Sequence, residues 1–436
     1  MWSLFHDVFV AAALGLHLLW RWVRGLVRGD KSISDYAAYR AGLRIDELRI
    51  PNLTNDGRPV LWFHGVSVGE VAGLDGVIAA IRQQNRGNVA IAVSTMTSDG
   101  LRAARRLANQ PDLAFIYPID LSFFAKRVVE RLQPKLLVIF DGDFWFQMLT
   151  ACANARVPVM VINGRLSERS TRNYARFSSY AKRLFSPIKL ASVQSETMAD
   201  RFSQFVPRSR IVVDGNLKLD STPPALSDTR RAELRRAFGI DPSHFCFVFG
   251  SVHPEELDAI ADPIRRLLAS HTGIQVVIAP RHPEKFTRDI LDKYFPGMSA
   301  TWSESDEHSR DFALIVWVNR LGVLRDLYQI AQAAFVGGTF CDVGGHNLAE
   351  PAQLGVPALY GPNVRAQVPL HEMLQAYGAA RQVRTPDELY QAMAALVEDP
   401  QARLAIVSNL AKLRADSGGL TNRVAARIAD LVGFAS

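Results

Sequence analysis

The sequence predicts an α/β protein with two doubly wound domains, each a parallel sheet covered by helices. Short, continuous apolar runs alternate with helical stretches along most of the 436 residues. Strands that are buried on both faces of a sheet read in this way. A polar stretch with a proline pair, near residues 219–228, divides the series into two. An apolar segment at the N-terminus adds a predicted membrane-anchor helix over residues 1–28.

The composition excludes several classes of protein. Hydrophobic residues make up 48% and charged residues 21% of the chain, which suits a globular protein with a sizeable core and excludes a disordered chain, a collagen-like repeat and a polytopic membrane protein. Cys152, Cys246 and Cys341 are far apart and odd in number, which excludes a disulfide framework and a Cys-x-x-Cys zinc site. The net charge of +7 favours anionic partners, but no common nucleic-acid motif is present, and we expect no nucleic-acid partner.

The N-terminal apolar run covers residues 8–20, and Arg21, Arg24, Arg28 and Lys31 follow it. A secretory signal carries its positive charge before the apolar core, so the order here predicts an anchor whose protein body stays in the cytoplasm. A spanning helix needs about 20 apolar residues. This run is shorter, so a spanning helix, an interfacial helix and an ordinary buried helix all remain open.

Seven apolar runs predict the strands of a first domain over residues 29–220, and the linker follows at 221–228. The runs are residues 60–64, 89–94, 113–117, 136–140, 158–162, 190–193 and 211–213. A second series predicts a second domain over residues 229–436, which ends in helices from about 386 to 432. Its strands are residues 245–249, 275–279, 313–317, 333–336 and 356–360. Ligands of doubly wound folds bind at the carboxyl ends of the strands, so we expect the two domains to face a cleft.

Glu70 is the candidate catalytic residue of the first domain. It follows a glycine-rich turn after strand 60–64 and opens the next helix. Backbone N–H groups and the positive end of the helix favour its charged form, and an ionised carboxylate can accept a proton from a hydroxyl. The alternative is a first-turn glutamate that only complements the helix dipole.

Two further motifs of the first domain follow strand ends. The stretch 94–100 brings hydroxyls, Thr95 and Thr97 among them, to a place where an anion could bind; a helix N-cap formed by Ser98 or Asp99 is the alternative. Arg165 and Arg169, four residues apart at the head of a helix, could grip a phosphate. An ion pair with Glu168 is the alternative for these arginines.

Two histidine-containing turns follow successive strands of the second domain. One carries His253, and the next carries Arg281 and His282. A cation at the carboxyl end of a strand can offset the charge that develops on a departing phosphate. The alternative is a pair of strand-terminating proline turns with exposed charges.

The strongest motif comprises residues 336–340 and 344–351. Gly337, Gly338 and Gly345 permit close approach of the backbone to a ligand. A helix that starts near Asn347 would present its N-terminus to a phosphate, and Glu350 could accept two ribose hydroxyls. A glycine-rich turn that serves packing alone is the alternative. No cluster of Asp, His or Cys has metal spacing, so we expect neither a metal nor a cofactor.

Five segments, in order along the chain, resemble the Kdo (3-deoxy-D-manno-octulosonic acid) transferases of lipopolysaccharide assembly, glycosyltransferase family 30. They are WFHGVSVGEV (62–71), NGRLSERS (163–170), GNLKLD (215–220), PRHPEKF (280–286) and FVGG with GGHNLAEP (335–338 and 344–351). The resemblance implies a GT-B glycosyltransferase with two Rossmann-like domains facing a cleft. It also implies a CMP-Kdo donor, an anionic lipid A precursor (lipid IVA) as acceptor, and a place at the inner membrane with the catalytic domains facing the cytoplasm.

The resemblance also implies roles for individual residues in an inverting displacement. Glu70 matches the general base, and His253, Arg281, Asn347 and Glu350 match positions that handle the nucleotide and its phosphate. By their places in the same motifs we add donor-binding residues His282, Gly337, Gly338, Gly345 and His346. We also add acceptor-binding or phosphate-binding residues Ser67, Thr95, Thr97, Asp141, Arg165 and Arg169.

The sequence departs from the family pattern in three segments. The family's Glu-Thr-Glu is Asp141-Gly142-Asp143 here, which shortens the first side chain by one methylene, and the stretch 251–256 lacks a hydroxyl of the pattern. Residues 319–324 lack two of its carboxylates. A transferase with a different CMP-ulosonic acid donor or acceptor, a non-catalytic lipid-A-binding paralogue and an epimerase of the same fold therefore remain as alternatives.

Overall fold

The computed structural model describes residues 2–4, 6–8, 10, 36, 38–43, 45, 57–85, 88–220, 226–302 and 313–434. The chain divides into two compact units. The first domain comprises Met1–Leu217 together with Gly419–Ser436, and the second comprises Lys218–Gly418. Residues 221–225, which form most of the predicted linker, lie outside the described residues.

The first domain is built on a parallel sheet in the order β3-β2-β1-β4-β5-β6-β7 among the described residues. Its strands are β1 Val60–His64, β2 Ala90–Thr95, β3 Leu113–Ile116, β4 Leu136–Phe140, β5 Val159–Gly164, β6 Ile188–Val193 and β7 Ile211–Val213. Its helices are α1 Val68–Gln84, α2 Ser98–Ala104, α3 Ser122–Leu132, α4 Phe146–Asn154, α5 Glu168–Arg176, α6 Ser178–Phe185 and α7 Glu196–Ser203, with a 3-10 turn at Arg208–Arg210. The short helix α8, Leu217–Asp220, lies at the boundary of the two domains.

The second domain has a sheet in the order β10-β11-β9-β8-β12-β13-β14, and the described pairs are parallel. Its strands are β8 Phe245–Val252, β9 Ile274–Pro280, β10 Ser299–Trp302, β11 Ile315–Val318, β12 Ala333–Val336, β13 Ala358–Tyr360 and β14 Arg381–Gln382. Its helices are α9 Asp228–Ala237, α10 Leu257–Ser270, α11 Arg288–Tyr294, α12 Leu324–Ile330, α13 Ala349–Gln353, α14 Val368–Ala376, α15 Pro386–Glu398 and α16 Pro400–Asp416. Two 3-10 turns, Pro254–Glu256 and Pro283–Lys285, follow β8 and β9.

Alternation along the central strands separates the two faces of each sheet. In β1, Leu61 and Phe63 join the core cluster that contains α1, whereas Trp62 joins the cluster on the opposite face with α3 and α4. Successive side chains of a strand point to opposite faces, and here both faces are covered, so the whole strand is apolar. This burial is why the strand predictions fall within three residues of the observed bounds. The edge strands β10 and β14 were not predicted.

The C-terminal helix α17, Leu420–Val432, differs from the domain division that the sequence predicts. We assigned residues 229–436 to the second domain, but α17 belongs to the first. Leu420, Val424, Ala425 and Ile428 are fully buried in the same core cluster as the apolar face of α1. The apolar stripe of α17 therefore completes the first domain.

The predicted anchor over residues 1–28 lies mostly outside the described residues. Within the described part of the chain, no helix has the length and hydropathy needed to cross a membrane. Residues 2–4, 6–8 and 10 are helical, and polar contacts tie them to the first domain. The backbone N–H of Ser122 donates to Asp7 Oδ1 at 2.9 Å, and Gln147 Nε2 donates to Ser3 O and to Asp7 Oδ1, both at 2.8 Å. Asp7, which precedes the apolar run, thus contacts the first residues of α3 and α4.

The position of α17 predicts the effect of truncating one side chain. We expect Ile428→Ala to lower the unfolding free energy of the first domain by about 2–4 kcal/mol, because it leaves a cavity in a closed core. Leu404→Ala on α16, where the side chain is 57% exposed, should stay within about 0.5 kcal/mol of the wild type. Hydrogen exchange followed by mass spectrometry in denaturant resolves the two domains. Faster exchange confined to second-domain peptides in the Ile428 variant would contradict the assignment.

Candidate active site

Glu70 closes the turn between β1 and α1. Ser67 is the N-cap of α1, and its hydroxyl accepts from the Glu70 N–H at 3.3 Å and donates to Glu70 Oε1 at 2.8 Å. The N–H of Val66 donates to Glu70 Oε2 at 2.7 Å. These reciprocal contacts tie the Glu70 side chain to the N-cap of α1, and Glu70 is only 7% exposed. The carboxyl is therefore fixed at the carboxyl end of β1.

The electrostatics of Glu70 differ from the sequence-based expectation. We expected its charged form to be favoured, but the structure raises the pKa of Glu70. Burial is the largest cause, and the negative charge of Asp141 adds to it, with a smaller contribution from Asp143. The hydrogen bonds from Ser67 and Val66 act in the opposite direction but are weaker. Glu70 thus keeps its proton to a higher pH than an ordinary glutamate does.

Asp141 directly follows β4, and its buried carboxylate forms an ion pair with the partly exposed side chain of Arg165. Arg165 Nε lies 2.9 Å from Asp141 Oδ1, and Gln194 Nε2 donates to the same oxygen at 3.2 Å. Asp141 has a φ of +73°, which aspartate tolerates better than most residues. A Cβ at Gly142 would lie 2.2 Å from the carbonyl oxygen of Arg165. The loop after β4 therefore packs directly on the loop after β5.

The two arginines of the 163–170 motif have different surroundings. The ion pair that we considered between them and Glu168 is not what the structure shows, since Arg165 pairs with Asp141 and Glu168 pairs with Arg172 at 2.8 Å. Glu168 and Arg172 are four residues apart on α5, which brings their side chains together. Arg169 is exposed on the same helix.

The candidate hydroxyl groups of the first domain make internal hydrogen bonds. Thr95 Oγ1 donates to Val66 O at 3.0 Å, which ties the end of β2 to the turn that holds Glu70. Thr97 Oγ1 accepts from the N–H of Gly100 at 2.9 Å, so Thr97 is the N-cap of α2. The sequence suggested Ser98 or Asp99 for that cap, one or two residues too late. Ser67 and Thr95 are therefore brought to Glu70, whereas Thr97 caps a neighbouring helix.

A buried glutamate that the sequence analysis did not single out organises the second domain. Glu256 is fully buried. Its Oε2 accepts from the N–H groups of His253 and Gly338 at 3.0 and 2.7 Å, and its Oε1 accepts from those of Thr339 and Phe340, both at 2.9 Å. One carboxylate thus joins the loop after β8 to the glycine loop after β12. Its place three residues after His253, in the spacing of a capping box, is the signal that could have found it.

Three histidines converge at this edge of the second sheet. His253 Nε2 and His346 Nε2 are 2.7 Å apart, and the two rings are nearly parallel, with centroids 5.0 Å apart. The His282 ring meets His253 edge-on at 5.7 Å. Gly338 has a φ of +72°, and a Cβ there would lie 2.7 Å from His346 Cδ2. Glycine is thus required where the loop passes under the ring.

Burial governs the charge of His253 and His346. It lowers the pKa of His346 to about 4, and the positive charges of His253, Arg281 and His282 act in the same direction. Burial also lowers the pKa of His253, although Glu256 and Glu255 oppose this. Both rings are therefore neutral at neutral pH.

Asn347 and Glu350 lie together, but the helix expected there is shorter than predicted. Helix α13 has five residues and begins at Ala349, two residues after Asn347. Asn347 Oδ1 accepts from the Ala349 N–H at 3.1 Å, and Asn347 Nδ2 donates to Glu350 Oε1 at 3.2 Å. The Asn347 side chain thus accepts one N–H of this short helix itself, and the phosphate site at its N-terminus stays a prediction.

The surroundings of Glu350 bring cations to the same place. Burial raises the pKa of Glu350, while the bond from Asn347 and the charges of Lys218, Arg281 and Arg325 oppose this. The exposed Arg281 contributes to the pKa shifts of both residues, since its positive charge lowers the pKa of Glu350 and that of His346. Gly345 has a φ of +88°, and a Cβ there would lie 3.2 Å from Asn363 O. Among the described residues, no group of three His, Cys, Asp or Glu side chains could hold a metal ion.

Comparison with known proteins decides the family. The family described as "3-Deoxy-D-manno-octulosonic-acid transferase (kdotransferase)" matches residues 41–221. The 3-deoxy-D-manno-octulosonic acid transferase of Chlamydia muridarum (strain MoPn / Nigg) is 34% identical over 363 residues, which cover 82% of each chain. This chain belongs to the Kdo transferase family. The predictions of the family and of a glycosyltransferase are thereby confirmed.

Solved structures support the fold of this Kdo transferase. A putative UDP-N-acetylglucosamine 2-epimerase from Listeria monocytogenes has a TM-score of 0.63 at 11% identity, covering 87% of this chain and 98% of that one. A glycosyltransferase from Rickettsia africae ESF-5 has a TM-score of 0.59 at 9% identity, covering 87% and 100%. At these identities the likeness concerns the fold alone. It agrees with the predicted pair of parallel-sheet α/β domains of GT-B type.

The four hydrogen bonds to Glu256 predict a large effect of an isosteric change. We expect Glu256→Gln to lower the unfolding free energy of this Kdo transferase by about 2–4 kcal/mol, because the amide nitrogen would face two backbone N–H donors. The neighbouring Glu255 is exposed, and Glu255→Gln should change stability by less than about 0.5 kcal/mol. Denaturant unfolding measures both variants. Equal stabilities would show that the carboxylate does not hold the loop.

Proposed function

We propose that this protein transfers Kdo from CMP-Kdo to a hydroxyl of a lipid A precursor, lipid IVA, in lipopolysaccharide biosynthesis. The proposal rests on membership of the Kdo transferase family, whose Chlamydia muridarum member bears that name. The observation that carries the mechanism is the Glu70 carboxyl, which is fixed by Ser67 and Val66 at a strand end and has a raised pKa.

In the proposed reaction Glu70 is the general base of an inverting displacement. Its carboxylate takes the proton of the acceptor hydroxyl while that oxygen attacks the anomeric carbon of Kdo, and CMP leaves with the electron pair of the broken bond. A carboxylate whose pKa is raised is a stronger base than an ordinary glutamate. The charge of Asp141 thus supports the same chemistry from a distance.

The second domain would bind the donor. His253, Arg281, His282 and His346 offer ring nitrogens and a guanidinium for the phosphate, and Asn347 and Glu350 suit the nucleoside hydroxyls. At Gly337, Gly338 and Gly345 the neighbouring protein atoms leave little room for a side chain, so the loop backbone is bare there. The β12 loop would then lie against the nucleotide.

The first domain would bind the acceptor. Arg169 has an exposed guanidinium suited to a lipid phosphate. The ion pair of Asp141 with Arg165 and the bonds of Ser67 and Thr95 would shape the pocket around Glu70. Thr97 would act indirectly, through the N-cap of α2. We propose that residues 1–28 hold the protein at the cytoplasmic face of the inner membrane, where an acylated acceptor resides.

An isosteric change at Glu70 separates catalysis from capping. In Glu70→Gln the amide oxygen can accept from Val66 N–H and the amide nitrogen can donate to Ser67, so we expect the fold to be kept. We expect kcat to fall by at least about 100-fold, because the amide cannot accept the proton. Glu388 has a similar place at the start of α15. Its Oε2 accepts from the Arg384 N–H, and its backbone N–H donates to Thr385 Oγ1. Glu388→Gln should keep full turnover, and turnover retained in Glu70→Gln would contradict the role of base.

The pH dependence of kcat/KM should report Glu70. The base acts only when ionised, so we expect activity to be lost as the pH falls through a pKa above that of an ordinary glutamate. Asp141→Asn removes a negative charge that raises this pKa, and asparagine tolerates the positive φ of position 141. The acid limb should then move to lower pH, and Asp143→Asn should move it less. An acid limb unchanged in Asp141→Asn would contradict the coupling.

The donor and the acceptor are tested together by mass spectrometry of the lipid product. We expect incubation with enzymatically generated CMP-Kdo and tetraacylated lipid A precursor to add the mass of one or more Kdo units. Release of CMP without a lipid product would point to hydrolysis or to another acceptor. The altered segments 141–147 and 319–324 favour a second candidate function, in which the donor is a different CMP-ulosonic acid. A larger thermal shift with such a donor than with CMP-Kdo would support that candidate.

A further inference from the structure

We propose that His253 and His346 form a proton-sharing pair that takes up one proton when the phosphate of a cytidine nucleotide binds, and that cannot take up two. The inference rests on the proposed function, since it assigns that phosphate to the second domain. It adds a property of the site that the family assignment does not contain: a fixed limit of one on the positive charge that two adjacent histidines can carry.

The distance between the two rings sets the proton count. His253 Nε2 and His346 Nε2 are 2.7 Å apart, which is the distance of a hydrogen bond. A neutral imidazole has one N–H and one lone pair, so one Nε2 donates and the other accepts. The neutral pair thus holds one proton between the rings and one on the Nδ1 of the accepting ring.

The same count limits the charged states. One extra proton on the remaining Nδ1 leaves the shared contact in place, which gives the pair a single positive charge and an N–H on each Nδ1. A further proton would place two Nε2–H groups face to face at 2.7 Å, so the rings would have to separate. At this spacing the singly charged pair is therefore the highest state.

The loops on both sides oppose such a separation. The His253 backbone N–H donates to buried Glu256, which also holds Gly338. The His346 N–H donates to Gly337 O at 3.1 Å, and the His346 ring lies against Gly338. Both histidines are thus attached to the loop that one carboxylate fixes.

The charges around the pair keep it neutral until an anion arrives. Burial lowers the pKa of both rings, and neighbouring positive charges act in the same direction, while Glu256 and Glu255 oppose this at His253. The charged and titratable groups that act on the pair from the β8 turn and the β9 turn are Glu255, Glu256, Arg281, His282 and Lys285. A bound phosphate would add to the negative charge next to the pair, so the affinity of the pair for a proton would rise.

The extra proton has a consequence for the transfer step. When the bond between the phosphate oxygen and the anomeric carbon breaks, the phosphate gains one negative charge as CMP leaves. A pair that is already singly charged offsets that gain without any movement of the protein. The proton stays on the pair during the step, and Glu70 alone receives the proton of the acceptor.

Proton uptake on binding tests the proposal with the full-length protein. The probe is cytidine 5′-methylphosphate, a phosphodiester that does not itself titrate near neutral pH. Calorimetry in buffers of different ionisation enthalpy, between pH 6 and 8, counts the protons taken up. We expect an uptake that rises toward one as the pH falls and does not exceed one. Linkage then limits the gain in affinity to about tenfold per pH unit.

Variants identify the groups that take up the proton. His282 is itself a proposed phosphate-binding residue, so we expect His282→Asn to bind the diester more weakly. The protein that does bind should keep the uptake, because His282 is outside the shared contact. The double variant His253→Asn with His346→Asn should lose it and bind the diester more weakly at pH 6 than the wild type does, with circular dichroism as the check on folding. His271, which pairs with Glu398 away from this loop, provides the control, and His271→Asn should match the wild type.

The outcomes separate this inference from the proposed function. Binding of the diester without proton uptake, an uptake above one proton, or an uptake lost in His282→Asn would overturn the pair while leaving nucleotide binding intact. Absence of any binding of the diester and of CMP would overturn the proposed donor site itself, and the pair with it. The wild-type and His282→Asn measurements decide the proposal even if the double variant does not fold.

Discussion

The loops at the carboxyl ends of parallel strands carry backbone N–H groups that must find acceptors away from water, and buried carboxylates supply them in this protein. Glu256 accepts four such groups and joins two loops of the second domain. Asp120 accepts from Gln147 and Met148 at the start of α4, at 2.8 and 2.9 Å. Glu70 accepts from Val66. Because an unmade bond of this kind costs about 1–3 kcal/mol, each loop is held close to one shape.

The same constraint produces the chemistry. A carboxylate that is buried to satisfy backbone groups also loses water, and the balance between these effects decides its proton affinity. At Glu70 burial and the charge of Asp141 outweigh two hydrogen bonds. Glu70 can therefore serve both as a helix cap and as the proposed base, because the contacts that make it a cap also fix the position of its carboxyl. Asp120 shows the same tendency, since burial raises its pKa to about 6.

Much of the fold follows from the sequence because the central strands are buried on both faces. Runs such as 136–140 match β4, since only apolar residues fit there. Edge strands β10 and β14 are not predicted by such apolar runs. In β14, for example, there are two residues and both are polar. The site was predicted in part: the motifs supplied His253, His346 and Glu70, but spacing alone does not show that two rings touch. The stripe of α17 is visible in the sequence, whereas the core that it joins depends on contacts more than 300 residues away in the chain.

The return of α17 to the first domain affects how the chain folds during synthesis. Domains usually fold in order as they leave the ribosome. Here the second domain is inserted between two parts of the first, and the buried side chains of Leu420 and Ile428 are translated only after the second domain. The first domain emerges with one side of its core uncovered, on the face of α1, and stays so while the whole second domain is made. Completion of the first domain thus waits until α17 has left the ribosome and can cover that face.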